Sequence, residues 1–196
     1  MQDFPLYFEL GWQHILDWQG YDHILFVAAL CGIYSLKDWR KVLILVTAFT
    51  VGHTVTLALS IFDRIGVPAA ITEFLIPVTI ILTALYNIIN GEQRSAYFSF
   101  KYIMALLFGL IHGMGFSNYL KSLLGTSNNI VAELLAFNLG LEAGQVAIVV
   151  TVLLLTYAII HLLKVPRGRW SVILSTIIFG VAFYMAAERL TSFIHQ

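Results

Sequence analysis

Long apolar runs separated by short polar clusters dominate this chain, and the runs are far longer than the alternating segments of a membrane barrel. A membrane-spanning helix needs about 20 mostly apolar residues at 1.5 Å rise each. Six segments meet that need: 10–36, 42–62, 68–90, 97–117, 130–163 and 170–193. The first is polar at its start and apolar from Ile24 to Tyr34. The third holds Pro68 and Pro77, and the fifth is longer than a perpendicular span requires. The pattern predicts an all-α, polytopic membrane helix bundle of about six transmembrane helices, folded as one domain over 1–196. Met1–Glu9 carries neither a basic region nor a small-residue cleavage site, so no signal peptide is expected there. Phe4, Leu6, Tyr7 and Phe8 suit an interfacial stretch instead.

Composition sharpens this picture. Hydrophobic residues make up 59% of the 196 and charged residues 11%, against about 25% charged in a soluble domain. Mean hydropathy is +0.85. A soluble protein this small cannot hide so much apolar surface. A water-soluble enzyme, a disordered chain and a nucleic-acid binder are excluded. Membrane lipids are the partners expected, with the oligomeric state left open. Cys31 stands alone, which excludes a disulfide framework and a multi-cysteine metal site.

Loop charges set the orientation. Lys37, Arg40, Lys41, Arg94, Lys101, Lys164, Arg167 and Arg169 fall at the odd-numbered loops. Arg64, Lys121 and Arg189 fall on the other side. The odd loops are therefore assigned to the cytoplasm and both termini to the outside, which is the periplasm if the cell is Gram-negative. Trp12, Trp18, Trp39 and Trp170 read as interface anchors, and Asn87 and Asn90 as caps ending the third span.

Ionisable groups at membrane depth cost several kcal/mol and mark functional sites. The first segment gives His14, Asp17, Asp22 and His23. The second gives His53 among Thr50, Thr54 and Thr56, the fourth His112, and the fifth Asn138, Glu142 and Gln145. At 1.5 Å per residue His53 lies about 13 Å and His112 about 9 Å inside the outer helix ends. His23 falls about 10 Å below the outer surface of a 30 Å core, and Glu142 in the outer third. Four helices thus put polar groups at one level. Asn138, Glu142 and Gln145 form one stripe, and Thr47, Thr50 and His53 or Thr54 another. Gly109/Gly113 and Gly140/Gly144 are small-xxx-small pairs that let helices approach closely.

Several histidines with a carboxylate suit a borderline divalent metal, because imidazole favours zinc, copper, iron and nickel over magnesium or calcium. The candidate metal ligands are His14, Asp22, His23, His53, His112 and Glu142, supported by Thr54, Asn138 and Gln145. A carboxylate against the second nitrogen of a histidine fixes its tautomer, a role for Asp22 or Glu142. Asp22 and His23 are adjacent, so on a regular helix they point about 100° apart. Both reach one centre only if the helix is irregular, which Gly20 allows. His161 and His195 read as interfacial. Glu73 reads as an entrance or solvated group, and Glu188 and Arg189 as snorkelling or paired groups.

The stretch Gly11-Trp-Gln-His14-Ile-Leu-Asp-Trp-Gln-Gly20-Tyr-Asp22-His23-Ile-Leu-Phe26 resembles the opening signature of the HupE/UreJ family. Three later blocks are similar to family blocks and stand in the same order: Phe49-Thr-Val-Gly-His53-Thr-Val-Thr-Leu57, Gly109-Leu-Ile-His112-Gly-Met-Gly-Phe116 and Asn138-Leu-Gly-Leu-Glu142-Ala-Gly-Gln145. These are small bacterial membrane proteins associated with nickel supply to hydrogenase and urease. In the nickel permeases five residues separate a histidine from Asp-His; here seven separate His14 from Asp22. No second histidine follows His112 closely. The chain is thus closer to the second, less characterised branch. The resemblance implies a polytopic metal-associated protein.

Three functions fit one such site. Transport takes a divalent ion of the nickel type from outside, binds it at His23, His53, His112 and a carboxylate, and releases it inward. A zinc-dependent intramembrane hydrolase holds the ion with an open position, uses Glu142 or Asp22 as general base, and cleaves a lipid or peptide bond near the outer leaflet. A structural role uses the ion only to staple four helices. Transport is the reading preferred, because the resemblance adds to it.

Overall fold

A computed structural model describes residues 3–18, 20–90, 98–124 and 129–194. Arg94 and His195 lie outside the described residues. Those described form seven α-helices and a single 3-10 turn at Leu36–Asp38, with no strand among them. The helices are α1 (Asp3–Leu16), α2 (Asp22–Cys31), α3 (Trp39–Ile61), α4 (Ala69–Asn90), α5 (Phe98–Leu124), α6 (Ile130–His161) and α7 (Arg167–Ile194). Four described stretches are long and apolar enough to cross a membrane: Leu36–Ile61, Ala69–Asn90, Ile130–His161 and Arg167–Ser192. Asp22–Cys31 and Lys101–Ser117 are shorter apolar stretches.

The first segment is not the continuous helix expected over 10–36. α1 stops at Leu16 and α2 restarts at Asp22, so the interruption falls between His14 and His23. Asp22 favours the restart in two ways. Its Oδ1 accepts the His23 backbone N–H at 2.8 Å, and its negative charge faces the positive end of the helix. The expected interfacial stretch is likewise helical. α1 packs along α6, with Tyr7 buried while Phe4 and Leu6 face outward.

The bundle is built from three helix pairs, α3 on α5, α1 on α6 and α4 on α7, with α2 touching α4, α6, α7, α1 and α3. Glycines set two of these contacts. A Cβ on Gly109 would run into the Phe49 carbonyl, one on Gly113 into Thr56 and His53, and one on Gly52 into the Leu106 carbonyl. On the other pair, a Cβ on Gly140 would meet the Phe8 carbonyl and one on Gly11 the Phe137 carbonyl. Backbone-to-backbone packing is the form small residues permit, and it draws the histidine-bearing faces together. The contacts run in parallel order along α3 and α5, and again along α1 and α6.

Side chains gather the helix ends into two groups. At one end Arg167 donates to the Ile33 carbonyl at 2.6 Å and to Asp38 at 3.4 Å, and Lys41 lies 3.6 Å from Asp38. At the other end Lys121 pairs with Asp63, and Arg189 donates to Glu73 at 2.9 Å. Glu73 is therefore an ion-pair partner between α4 and α7. Asn87 is not a cap: buried, it donates to the Ala29 carbonyl at 2.7 Å and ties α4 to the end of α2. Asn90 donates to Tyr86 O at 3.0 Å within its own last turn. Asp63 and Lys164 take positive φ, 55° and 53°, just past the ends of α3 and α6. There Arg64 N–H reaches Leu59 O at 2.8 Å and Val165 N–H reaches Ile159 O at 3.4 Å, closing both helices.

Candidate metal centre

The three histidines His14, His23 and His53 come from α1, α2 and α3. Each offers one ligand atom, and those atoms lie within 4.8 Å of one another. Their ring centroids are 4.7 Å (His14–His23), 6.1 Å (His14–His53) and 6.3 Å (His23–His53) apart. His112 of α5 stands next to them, its ring 5.2 Å from that of His23. His53 and His112 are 0% and 1% exposed, His23 is 5% exposed, and His14 is half-buried.

Hydrogen bonding argues that these are not ordinary packed histidines. Buried polar atoms in folded proteins nearly always have partners. Here His14 Nε2, His23 Nε2, both ring nitrogens of His53 and His112 Nε2 have none among the described residues. His112 shows how one ring is set. Its Nδ1 lies 2.9 Å from the Phe108 carbonyl, which only accepts, so Nδ1 carries the proton and Nε2 keeps its lone pair. That is the arrangement of a metal-ligating histidine oriented by a backbone carbonyl. Asp22 Oδ1 lies 2.9 Å from His23 Nδ1, which sets a carboxylate against that ring. Imidazoles facing one another, three of them buried and His14 half-buried, form a nitrogen-donor set suited to a borderline transition metal.

The remaining predicted residues fall elsewhere. Glu142 is outside the group of three; its Oε1 accepts from Thr47 at 2.7 Å. Gln145 Oε1 accepts from Thr50 and Asn138 Oδ1 from Thr54, both at 2.7 Å. The two polar stripes anticipated on α3 and α6 therefore bond each other, as a seam of three interhelical hydrogen bonds. The seam lines a groove of about 390 Å³ between α3 and α6. His161 Nδ1 donates to the Tyr157 carbonyl at 3.0 Å, and the ring stacks on that of Tyr157, away from the cluster.

Sequence reasoning missed the aromatic wall. Phe116 lies with its ring 3.8 Å from that of His14, Phe49 5.1 Å and Phe26 5.4 Å from His112. A signal for it existed. Phe49 precedes His53 by four, and Phe108 and Phe116 flank His112 by four on either side. Such spacing places each ring on the same helix face as its histidine.

An open depression of about 690 Å³ adjoins this wall, lined by Trp12, Gln13, His14, Asp17, Phe116 and Tyr119 among others. His14 is the one member of the group of three that lines it, so that side chain connects the depression to the buried histidines.

The family described as HupE / UreJ protein matches the chain over residues 1–196. Neither the curated proteins nor the solved structures hold a match to it.

Proposed function

The chain belongs to the HupE/UreJ family over its whole length, and from that premise we propose that it carries a divalent transition-metal ion of the nickel or zinc kind across a bacterial inner membrane. In this reading α1 and α2 together form the first of six spans and α5 the fourth, with both termini outside. The observation that carries the reading is the set of buried histidine nitrogens without partners, joined to the outside through His14. The family's association with metal uptake supports the same reading.

The ion enters through the depression, past Asp17 and His14, and is held by His14, His23 and His53. Tetrahedral coordination at about 2.0–2.1 Å sets donor atoms about 3.4 Å apart, so binding draws the three rings inward by an ångström or so. Asp22, against His23, supplies negative charge that favours a dication. His112, with Nε2 free, is the neighbouring donor. The interruption between α1 and α2 lies between His14 and His23. A bend there separates two ligands at once and weakens the site for release. Irregular helices around a polar site recur in transporters for this reason.

Uptake by proteoliposomes tests the proposal. Vesicles holding the protein should accumulate added nickel or zinc, and His14→Ala and His53→Ala should abolish accumulation. Uptake equal to that of empty vesicles would refute transport.

One observation favours a second reading. Three nitrogen ligands beside an open depression match a zinc site that keeps a position free for water. In the hydrolase alternative Asp22 is then the nearer general base, since Glu142 is bonded to Thr47. That reading expects one tightly held zinc and no net movement of ions.

A further inference from the structure

A second site lies at the other end of the bundle, independent of the histidines. A cavity of about 280 Å³ opens between α2, α3, α4 and α5, lined by Leu30, Leu45, Leu82, Met104, Ala105 and Phe108 among others. Leu82, on its lip, is 51% exposed, so the cavity opens on the outer surface of the bundle. In a membrane that surface faces acyl chains. The polar side chains in the lining are largely spent. Asn87 donates to the Ala29 carbonyl and Thr83 to the Thr79 carbonyl.

The exception is Lys101. Its ammonium sits 5.4 Å from the centre of the Tyr34 ring and 5.3 Å from that of Tyr86. No carboxylate pairs with it among the described residues. Two aromatic faces hold the cation in place by cation–π attraction, and among the described residues its charge has no counter-ion. Lys101 also stands at the end of the bundle where Arg167, Lys41 and Asp38 gather. Apolar walls, a cation at the rim that no described carboxylate pairs and an opening towards lipid call for an anionic amphiphile with its chain inside and its charged head on Lys101. Basic pockets between spanning helices bind anionic headgroups in this way.

We infer that this cavity is a binding site for one anionic phospholipid, its phosphate at Lys101 between Tyr34 and Tyr86 and an acyl chain along Leu30, Leu45 and Phe108. The inference does not rest on metal binding, and its test needs no metal.

The full chain in detergent is titrated with phosphatidylglycerol or phosphatidylcholine, and retained lipid is read by native mass spectrometry. One phosphatidylglycerol per chain should be held, with about five-fold preference over phosphatidylcholine, the ratio that one lysine near an anionic surface supplies. Lys101→Gln keeps most of the stem and should bring the preference close to one, whereas Lys101→Arg should keep it. Leu82→Trp, on the exposed lip, should lower retention of both lipids. Circular dichroism in lipid-free detergent identifies any variant that fails to fold, and the arginine variant and the wild-type selectivity then decide. Equal retention of the two lipids by the wild type would overturn the site. So would unchanged preference in a folded Lys101→Gln, or retention of oleate but not of phosphatidylglycerol.

Discussion

His53 offers the sharpest stability test, because the histidine that the proposed site needs is one the metal-free fold should be better without. Its side chain is fully buried, and neither ring nitrogen has a partner among the described residues. Each unsatisfied buried polar group costs about 1–3 kcal/mol. Leucine is close to histidine in volume and carries no polar atom. Imperfect shape at a packed position takes back up to about 1.5 kcal/mol. With two such nitrogens, and less that packing loss, His53→Leu should stabilise the metal-free protein by about 0.5–6 kcal/mol. For a chain of this size each kcal/mol is worth about 2–4 °C in Tm. The assay is thermal unfolding of detergent-solubilised protein, first with a chelator and then with metal at a hundred times its Kd. Bound ion should raise the wild type by about 2.7 kcal/mol and leave His53→Leu unmoved. The order of the two proteins should then converge or invert between the conditions. A His53→Leu protein that melts below wild type in the chelator would refute the reasoning, since the imidazole would then be contributing to the fold.

Three further outcomes follow from the packing. Gly109→Ala drives a methyl into the Phe49 carbonyl and should lower Tm by the equivalent of at least about 1–3 kcal/mol, whereas Gly180→Ala, with open space around it, should be neutral or raise it by up to about 1 kcal/mol. Phe116→Ala removes the ring that lies against His14 beside the depression; stopped-flow loading of metal should quicken while the equilibrium Kd moves little, and unchanged rates would show that the ring is not in the path. In a double-mutant cycle on unfolding, Thr54→Val with Asn138→Leu should show a coupling of about 0.6 kcal/mol, the usual size for a hydrogen bond between helices in a membrane, and zero coupling would dissolve that rung of the seam.

The helical class and most helix positions were legible because apolar runs of spanning length leave few alternatives. That histidines of separate helices meet was legible too, since rise per residue aligns positions on neighbouring helices. Partners across helices were not. The stripes Thr47, Thr50, Thr54 and Asn138, Glu142, Gln145 stood out on their own helices. That they bond each other, taking Glu142 out of the group with His14, depends on how α3 and α6 cross. Asn87 followed the same logic: near a helix end it reads as a cap, but the position of α2 gives it the Ala29 carbonyl. The break between Leu16 and Asp22 was half visible. Gly20 and the neighbouring Asp22–His23 pair asked for irregularity, while hydropathy alone ran the segment on to residue 36.

The most direct test of the proposed centre is X-ray absorption at the metal edge of the loaded protein, with nickel or zinc added to one equivalent. The account predicts a shell containing at least three imidazole nitrogens, for zinc at about 2.0–2.1 Å, losing a nitrogen in His14→Ala and in His53→Ala. A shell of oxygens alone, or metal that washes away entirely, would contradict the assignment of His14, His23 and His53 as ligands.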